Sequence, residues 1–474
     1  MRGAALACLL GLVLGCGGGP TRSSPPVAPA SNLLLITIDT LRADHVGAYG
    51  HAAARTPVMD SLARDGVRFE HALAAAPLTL TSHASLLTGR YPPGHGARNN
   101  GMRMRPVPTL ATMLRAQGFA TAAFVAAFPL DGRFGLAGGF ETYSDDLPRG
   151  ADGRPLDERP APAVADEAIG WLNAQPGGRF FAWVHFFEPH APYGPPGSND
   201  TRPPAARYDD EIAIADREAG RVIAALGNRA ASTLVVVAAD HGESFGEHGE
   251  ITHGIFVYDT TLRVPLLMKG PGLATPAVVA APVSLVDVVP TALAALGLRP
   301  ADTDGIDLGP LIRGGAAPAD RVLYSESFAP LVDFGWSSLR AVRSGGWKYI
   351  AAPAPELYDV RADPGETSSA AASKPDVAAR LGARADGFSA SELPREGQAP
   401  ARLDPDATRR LQALGYVGSQ AGRMAAGRRA DPKDRKSLAR DLALVLSSEL
   451  QGQALKDALR SILRQDPGNA QAHL

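Results

Sequence analysis

Four residues in this chain have the types and surroundings needed for metal-assisted ester chemistry: Asp39, Thr79, Asp240 and His241. Thr79 stands where the polar loop Ala76-Pro77-Leu78 enters the apolar run Thr81 to Leu87, about where a helix would begin. Unpaired backbone N–H groups and the positive end of the helix dipole favour an anion, or an alkoxide, at such a place. Taken alone, Thr79 reads first as an N-cap threonine without chemistry. Its company changes the balance. Asp240-His241-Gly242 follows a Val/Ala-rich run and offers adjacent oxygen and nitrogen ligands, with a glycine to turn the loop. Asp39 adds a carboxylate from a different strand. Three protein ligands plus a nucleophilic oxygen make an open divalent-metal site. An ion there would lower the pKa of the Thr79 hydroxyl and let it attack phosphorus or sulfur in line. The O/N donor mixture suits Zn²⁺ or Mn²⁺ better than Ca²⁺, which stays possible.

Further polar candidates are Glu188, His190, His248 and His253. His190 and His253 would bind the oxyanion or protonate the leaving group. With His248 and Glu188 they would alternatively hold a second metal, and the plain alternative is that all are surface or structural residues. Asn99 and Asn100, after the Gly94-His95-Gly96 turn, would donate hydrogen bonds to a tetrahedral anion or simply serve the turn. Arg90 reads as a structural ion pair.

These residues need a scaffold. Asn32 to Ile38, Phe180 to Phe187 and Thr233 to Ala239 are short apolar runs that read as buried strands, each followed at once by polar residues. Helical stretches at 57–65, 81–88, 109–117, 163–173 and 208–226 separate them, with another at 285–296 after a strand at 264–269. The alternation predicts an α/β fold, a mostly parallel sheet sandwiched by helices. Ligands of such sheets bind outside the carboxyl ends of the strands, where Asp39, Glu188, His190, Asp240 and His241 all fall. The catalytic domain is expected over 31–320. Residues 321–391 read as a small C-terminal antiparallel α+β subdomain with strands at 339–343 and 347–350, and 392–435 as a polar linker. Residues 436–474 form a helical tail that resembles a tetratricopeptide unit. One such unit cannot bury its own apolar face, so the tail either belongs to a repeat array or docks on the main domain.

The 474 residues are 45% hydrophobic and 20% charged, enough for one large domain and a smaller one. A net charge of −2 gives no basic field for nucleic acid. Residues 1–16 read as a bacterial lipoprotein signal peptide ending in Val13-Leu14-Gly15-Cys16, with an ordinary cleaved signal as the alternative. Cys16 would then carry the lipid, 17–30 would be a flexible tether, and the protein would sit in the cell envelope, membrane-anchored. Cys8 falls in the removed leader, so the mature body has no disulfide and no thiol catalyst.

Several motifs together resemble the sulfatase branch of the alkaline phosphatase superfamily. They include Leu35-Ile36-Thr37-Ile38-Asp39-Thr40-Leu41-Arg42-Ala43-Asp44-His45, Ser82-His83-Ala84-Ser85-Leu86-Leu87-Thr88-Gly89-Arg90, Phe187-Glu188-Pro189-His190 and Asp240-His241-Gly242-Glu243. Trp347-Lys348-Tyr349 and Glu356-Leu357-Tyr358-Asp359 resemble that family's C-terminal subdomain. The resemblance spans about 32–391. Sulfatases use Cys or Ser within Cys/Ser-x-Pro-x-Arg, oxidised to formylglycine. Here Thr79 takes that position, Thr81 replaces the proline and His83 the arginine. The paired acid after the first Asp is Thr40, and the sulfate-gripping Lys/His pair has no clear counterpart between 98 and 128. A threonine nucleophile with an Asp-His pair is instead similar to nucleotide pyrophosphatases, lipoteichoic acid synthases and phosphoethanolamine transferases, which pass through phosphothreonine. The resemblance implies that Asp39, Thr79, Asp240 and His241 hold the metal, that His190 meets the substrate anion, and that His253 lies near the place of a substrate-binding lysine. The expected activity is cleavage or transfer of a small-molecule, glycan or lipid phosphate ester. Alternatives are sulfate ester hydrolysis without formylglycine, or a silent envelope binding protein whose C-terminal helices recruit a protein partner.

Overall fold

The computed structural model describes residues 28–150, 156–175, 177–194, 200–388, 405–414, 429–446, 450 and 452–466. The expected leader, Cys16 and most of the tether lie outside the described residues. Eleven strands build the larger part: β1 Asn32–Ile38, β2 Val67–Phe69, β3 Ala72–Leu73, β4 Ala120–Phe124, β5 Thr142–Ser144, β6 Phe180–Phe186, β7 Thr233–Ala239, β8 Arg263–Val264, β9 Leu266–Lys269, β10 Ala277–Val279 and β11 Val283–Ser284. Eight of them form one sheet in the order β10-β2-β9-β7-β1-β6-β4-β5. Only β9 runs against its neighbours. Every residue of β1, β6 and β7 is buried, which is why these runs are continuously apolar rather than alternating. β1 lies between β6 and β7, with Ile38 opposite both Phe186 and Ala239. The three strands therefore end level, and Asp39, Phe187 and Asp240 leave the sheet at one edge.

The strand expected at 264–269 is two strands. β8 pairs with β3 in a separate three-stranded sheet, whereas β9 enters the main sheet. Pro265 lies between them and has no N–H to continue a ladder. The helix expected at 285–296 is a 3-10 turn Leu285–Asp287 followed by the helix Val288–Ala295, with Ser284 and Asp287 forming a capping box.

The C-terminal strands β12 Leu323–Ser327, β13 Leu339–Ser344, β14 Trp347–Ala351 and β15 Glu356–Asp359 form an antiparallel meander backed by the helix Pro375–Phe388. It is stitched to the segment that leads to Thr79. Ser325 Oγ donates to the Ala74 carbonyl at 2.6 Å and Glu326 N to the Ala75 carbonyl at 2.9 Å. Leu339, Ala341 and Ile350 join the main apolar core.

The connector expected at 392–435 contains a helix, Pro405–Ala413. Ala407 and Leu411, one turn apart, enter the main core. Arg410 donates to Asp157 at 2.8 Å and lies over the Phe128 ring. Two such anchors suffice to dock a short segment whose polar composition reads as linker. In the tail, the helices Lys436–Leu446 and Gly452–Gln465 pack on each other, and Leu438, Ala439, Leu442 and Ile462 share an apolar cluster with Trp336. The described part of the tail is thus docked on the body of the molecule.

Candidate active site

The helix Thr79–Thr88 is buried along its whole length. Leu78 is its N-cap, so Thr79 is the first helical residue and not the capping one. The cap comes from elsewhere: Asn100 Oδ1 accepts the Leu80 N–H at 2.9 Å. Gly89 ends the helix in the left-handed conformation, φ 65°, which suits a residue without Cβ.

The helix start points at the carboxyl ends of β1 and β7. Asp39, Asp240 and His241 are fully buried, with potential ligand atoms all within 4.8 Å of one another. His241 Nδ1 donates to the Gly242 carbonyl at 3.0 Å, which leaves the lone pair of Nε2 facing inward. Nε2 lies 3.5 Å from Thr79 Oγ1, 3.6 Å from Asp39 Oδ1 and 3.4 Å from Asp240 Oδ2. Neither of those two carboxylate oxygens has a hydrogen-bond partner, although both are buried. Two buried carboxylate oxygens without hydrogen-bond partners, facing a ring-nitrogen lone pair, are costly unless a cation lies among them. The donor set fits a divalent ion.

Burial pushes the Asp39 and Asp240 carboxyls well above the usual carboxylate range. The charge of Glu243 adds to this at Asp39, and that of Asp39 at Asp240. Burial likewise keeps His241 and His83 neutral, well below the ordinary imidazole range.

The surrounding contacts fix orientation. Asp240 Oδ1 accepts the backbone N–H of His241 at 2.9 Å and of Thr40 at 3.3 Å. Thr40 has φ 53°, a strained conformation for a β-branched residue. It is held by Tyr208 Oη donating to its carbonyl at 2.7 Å and by its own Oγ1 donating to the Pro189 carbonyl at 2.8 Å. Gly242 is required by close approach, because a Cβ there would lie 2.3 Å from the Thr260 carbonyl oxygen. Its expected role as a turn glycine is replaced by that one.

His83, at the arginine position, is bound on both sides. Trp183 Nε1 donates to Thr37 Oγ1 at 2.9 Å, so Thr37 donates to His83 Nε2 at 3.0 Å. His83 Nδ1 then donates to the Thr79 carbonyl at 2.8 Å. His185, not singled out by sequence, completes the arrangement. Its Nδ1 accepts the Ala126 N–H at 3.2 Å, so Nε2 donates to Asp39 Oδ2 at 3.2 Å. The available signal was a lone histidine in the apolar run Phe180–Phe186, which is expensive to bury without a partner.

His190 and His253 stand beside the cluster. Ring centroids are 4.5 Å apart for His241 and His253, and 5.1 Å for His253 and His190. His190 stacks on Phe187 and donates from Nδ1 to the Ala191 carbonyl at 2.6 Å. His253 Nδ1 donates to Glu243 Oε1 at 3.2 Å. Burial pushes His253 down to about 3 and lowers His190 strongly, so both are neutral rings. With Nδ1 carrying the one ring proton, each presents a lone pair at Nε2, so neither supplies the N–H donor that the expected oxyanion-binding or acid role requires.

Other expected site residues lie elsewhere. Glu188 accepts the Ala161 N–H at 2.9 Å and so serves the start of the helix Ala161–Ala174. His248 stacks on Tyr258 with centroids 3.6 Å apart. Neither belongs to a potential metal group among the described residues. Glu188 follows β6 closely and His248 lies on the turn Glu247–Gly249, and both side chains turn to local partners. Asn99 donates to both oxygens of Asp333 at 3.1 Å, while Asn100 keeps a buried Nδ2 without a partner. Arg90 pairs with Asp302 at 2.6 Å, as its reading anticipated.

Residues 31–298 match the model of the family described as Sulfatase. Steryl-sulfatase of Mus musculus is 28% identical, with 73% of this chain and 79% of that protein covered. Delta 4,5-hexuronate-2-O-sulfatase of Bacteroides thetaiotaomicron is 24% identical, with 76% and 88% covered. Among solved structures, the phosphonate monoester hydrolase of Agrobacterium radiobacter superposes with a TM-score of 0.62 at 24% identity, covering 77% of this chain and 96% of that one. With the family match spanning more than half of the sequence, the chain belongs to the sulfatase family of the alkaline phosphatase-like superfamily.

Proposed function

We propose that this sulfatase-family hydrolase cleaves or transfers phosphate esters, diesters included, through a covalent intermediate on Thr79. The observation that carries the reading is the placement of the Thr79 hydroxyl 3.5 Å from His241 Nε2, at a helix start and beside the two orphaned carboxylate oxygens. Asp39, Thr79, Asp240 and His241 would hold a divalent ion, Zn²⁺ or Mn²⁺ before Ca²⁺. When bound, that ion would lower the pKa of the threonine hydroxyl and screen the charge of the ester. The residues do the rest. Thr79 presents its oxygen for in-line attack. Asn100 Nδ2 offers an N–H donor to the anion that develops. His83 and His185 hold the Thr79 carbonyl and Asp39 in register. Neither cysteine of the sequence, Cys8 or Cys16, stands at the position of Thr79, where formylglycine would form, which favours phosphorus over sulfur as the centre attacked.

The relatives named as sulfatases support the second reading, a sulfate ester substrate attacked by the same threonine. One comparison separates the two. The full chain is loaded with Zn²⁺, Mn²⁺ or Ca²⁺ and given bis(p-nitrophenyl) phosphate, p-nitrophenyl phosphate and p-nitrophenyl sulfate, beside Thr79→Ala. Phosphate ester cleavage lost in the variant is expected. Preferred sulfate cleavage that depends on Thr79 would replace the first reading with the second. Metal binding without turnover of any of the three esters would leave a more demanding natural substrate or a binding protein. We further propose that the protein is lipid-anchored in a bacterial cell envelope through Cys16, and that the tail contributes a surface for a protein partner.

A further inference from the structure

A second group of metal-ligating side chains lies outside the candidate active site. His45 follows the Asp39 loop on the turn Ala43–His45, His51 follows the left-handed Gly50, and Asp209 sits in the helix Pro204–Ala224. Their potential ligand atoms all lie within 4.8 Å of one another, and all three residues are half-buried. His45 Nδ1 is 2.7 Å from Asp209 Oδ1. His51 Nε2 is 3.5 Å from Asp209 Oδ2, out of hydrogen-bonding geometry, and is buried without a hydrogen-bond partner. The two imidazoles face each other, centroids 5.2 Å apart and planes inclined by 26°. Nearby charges are already matched: Asp44 pairs with Arg42, and Asp210 with Arg55 and Arg202.

A His–Asp hydrogen bond explains His45 and Asp209 alone. It leaves the second imidazole aimed at the second oxygen of the same carboxylate with nothing between them. We propose that His45, His51 and Asp209 form a separate divalent-cation site of the zinc class. Two neutral imidazoles and one carboxylate supply three ligands, and the exposed side leaves room for water as a fourth. A cation bound at His45 Nδ1 displaces the proton this nitrogen shares with Asp209, and the ring stays neutral as its Nε2–H tautomer. The site ties the loop 42–51 to the helix Pro204–Ala224. The neighbouring Tyr208 of that helix bonds the Thr40 carbonyl and the Arg42 N–H, so the cation braces the backbone just after Asp39.

The test uses the full chain with a histidine-free affinity tag, equilibrated with Zn²⁺. Asp240→Asn disables the candidate active-site metal cluster. This variant is expected to retain about one equivalent of zinc by elemental analysis and to melt higher with zinc than without. Adding His51→Ala, or Asp209→Asn, which preserves side-chain shape, removes both effects while the metal-free circular dichroism spectrum stays unchanged. Absence of zinc from Asp240→Asn, or zinc retained in both double variants, overturns the proposal.

Discussion

His185 Nε2 donates to Asp39 Oδ2 at 3.2 Å, while the other oxygen of that carboxylate faces His241 Nε2 at 3.6 Å. One carboxylate is thereby aimed by a buried imidazole on one side and presented to the metal cluster on the other. Removing such an outer partner typically weakens metal affinity about 10–100-fold. His185→Ala is therefore expected to lose affinity in that range, measured by competition with a chromophoric chelator. Equal affinity in wild type and variant would show that Asp39 needs no such support.

The orphaned pair makes metal-free stability depend on pH with a definite sign. Burial raises both the Asp39 and Asp240 pKa values above their unfolded ones. Folding then retains protons that the unfolded chain releases. This contribution is fully present below the ordinary carboxylate range and is lost as pH rises through the folded values. Relative to Asp240→Asn, the metal-free wild type should lose up to about 1.4 kcal/mol per pH unit for each retained proton. Denaturant melts of both proteins across pH give the difference, which removes the common effect of the buried histidines. A flat difference would mean that the pair is not desolvated.

Asn100 combines two tasks, capping Leu80 through Oδ1 and offering Nδ2 to the site. Asn100→Ala should cost about 1 kcal/mol of stability as a lost cap and about 100-fold in kcat as a lost oxyanion donor. Asn100→Asp keeps the cap acceptor but replaces the donor by a charge, and should lose activity while keeping stability. Activity retained in Asn100→Asp would exclude the donor role.

Leu442 is buried in the cluster that includes Trp336. Leu442→Ala is expected to cost about 2–4 kcal/mol, read as earlier proteolysis of the tail, without change in kcat for an ester substrate. A parallel loss of kcat would connect the tail to the chemistry.

The ends of β1 and β7 were legible because fully buried strands write themselves as uninterrupted apolar runs, and Asp39 and Asp240 follow those runs directly. The bounds of β1 and β7 coincide with the sequence reading for the same reason, and those of the helix Pro57–Asp65 because Pro57 stands in its first turn and Gly66 ends it. The run 264–269 reads as one strand because apolar pattern carries no strand direction, and the role of Pro265 emerges only from the pairing of β8 and β9. Glu188 follows β6 as its apolar run predicts, but side-chain direction depends on local partners, the Ala161 N–H for Glu188 and the Tyr258 ring for His248. His185 was hidden because one histidine barely disturbs an apolar run. The helix Pro405–Ala413 was hidden because two apolar anchors in a polar segment resemble a linker.

Trapping the covalent intermediate tests the central claim most directly. The metal-loaded full chain is mixed with a radiophosphorus-labelled diester, quenched in acid and digested. The account predicts label on the peptide containing Thr79, and none in Thr79→Ser after mild alkali, which eliminates phosphoserine faster than phosphothreonine. Rapid turnover with no label on that peptide, or turnover persisting in Thr79→Ala, would contradict a threonine nucleophile.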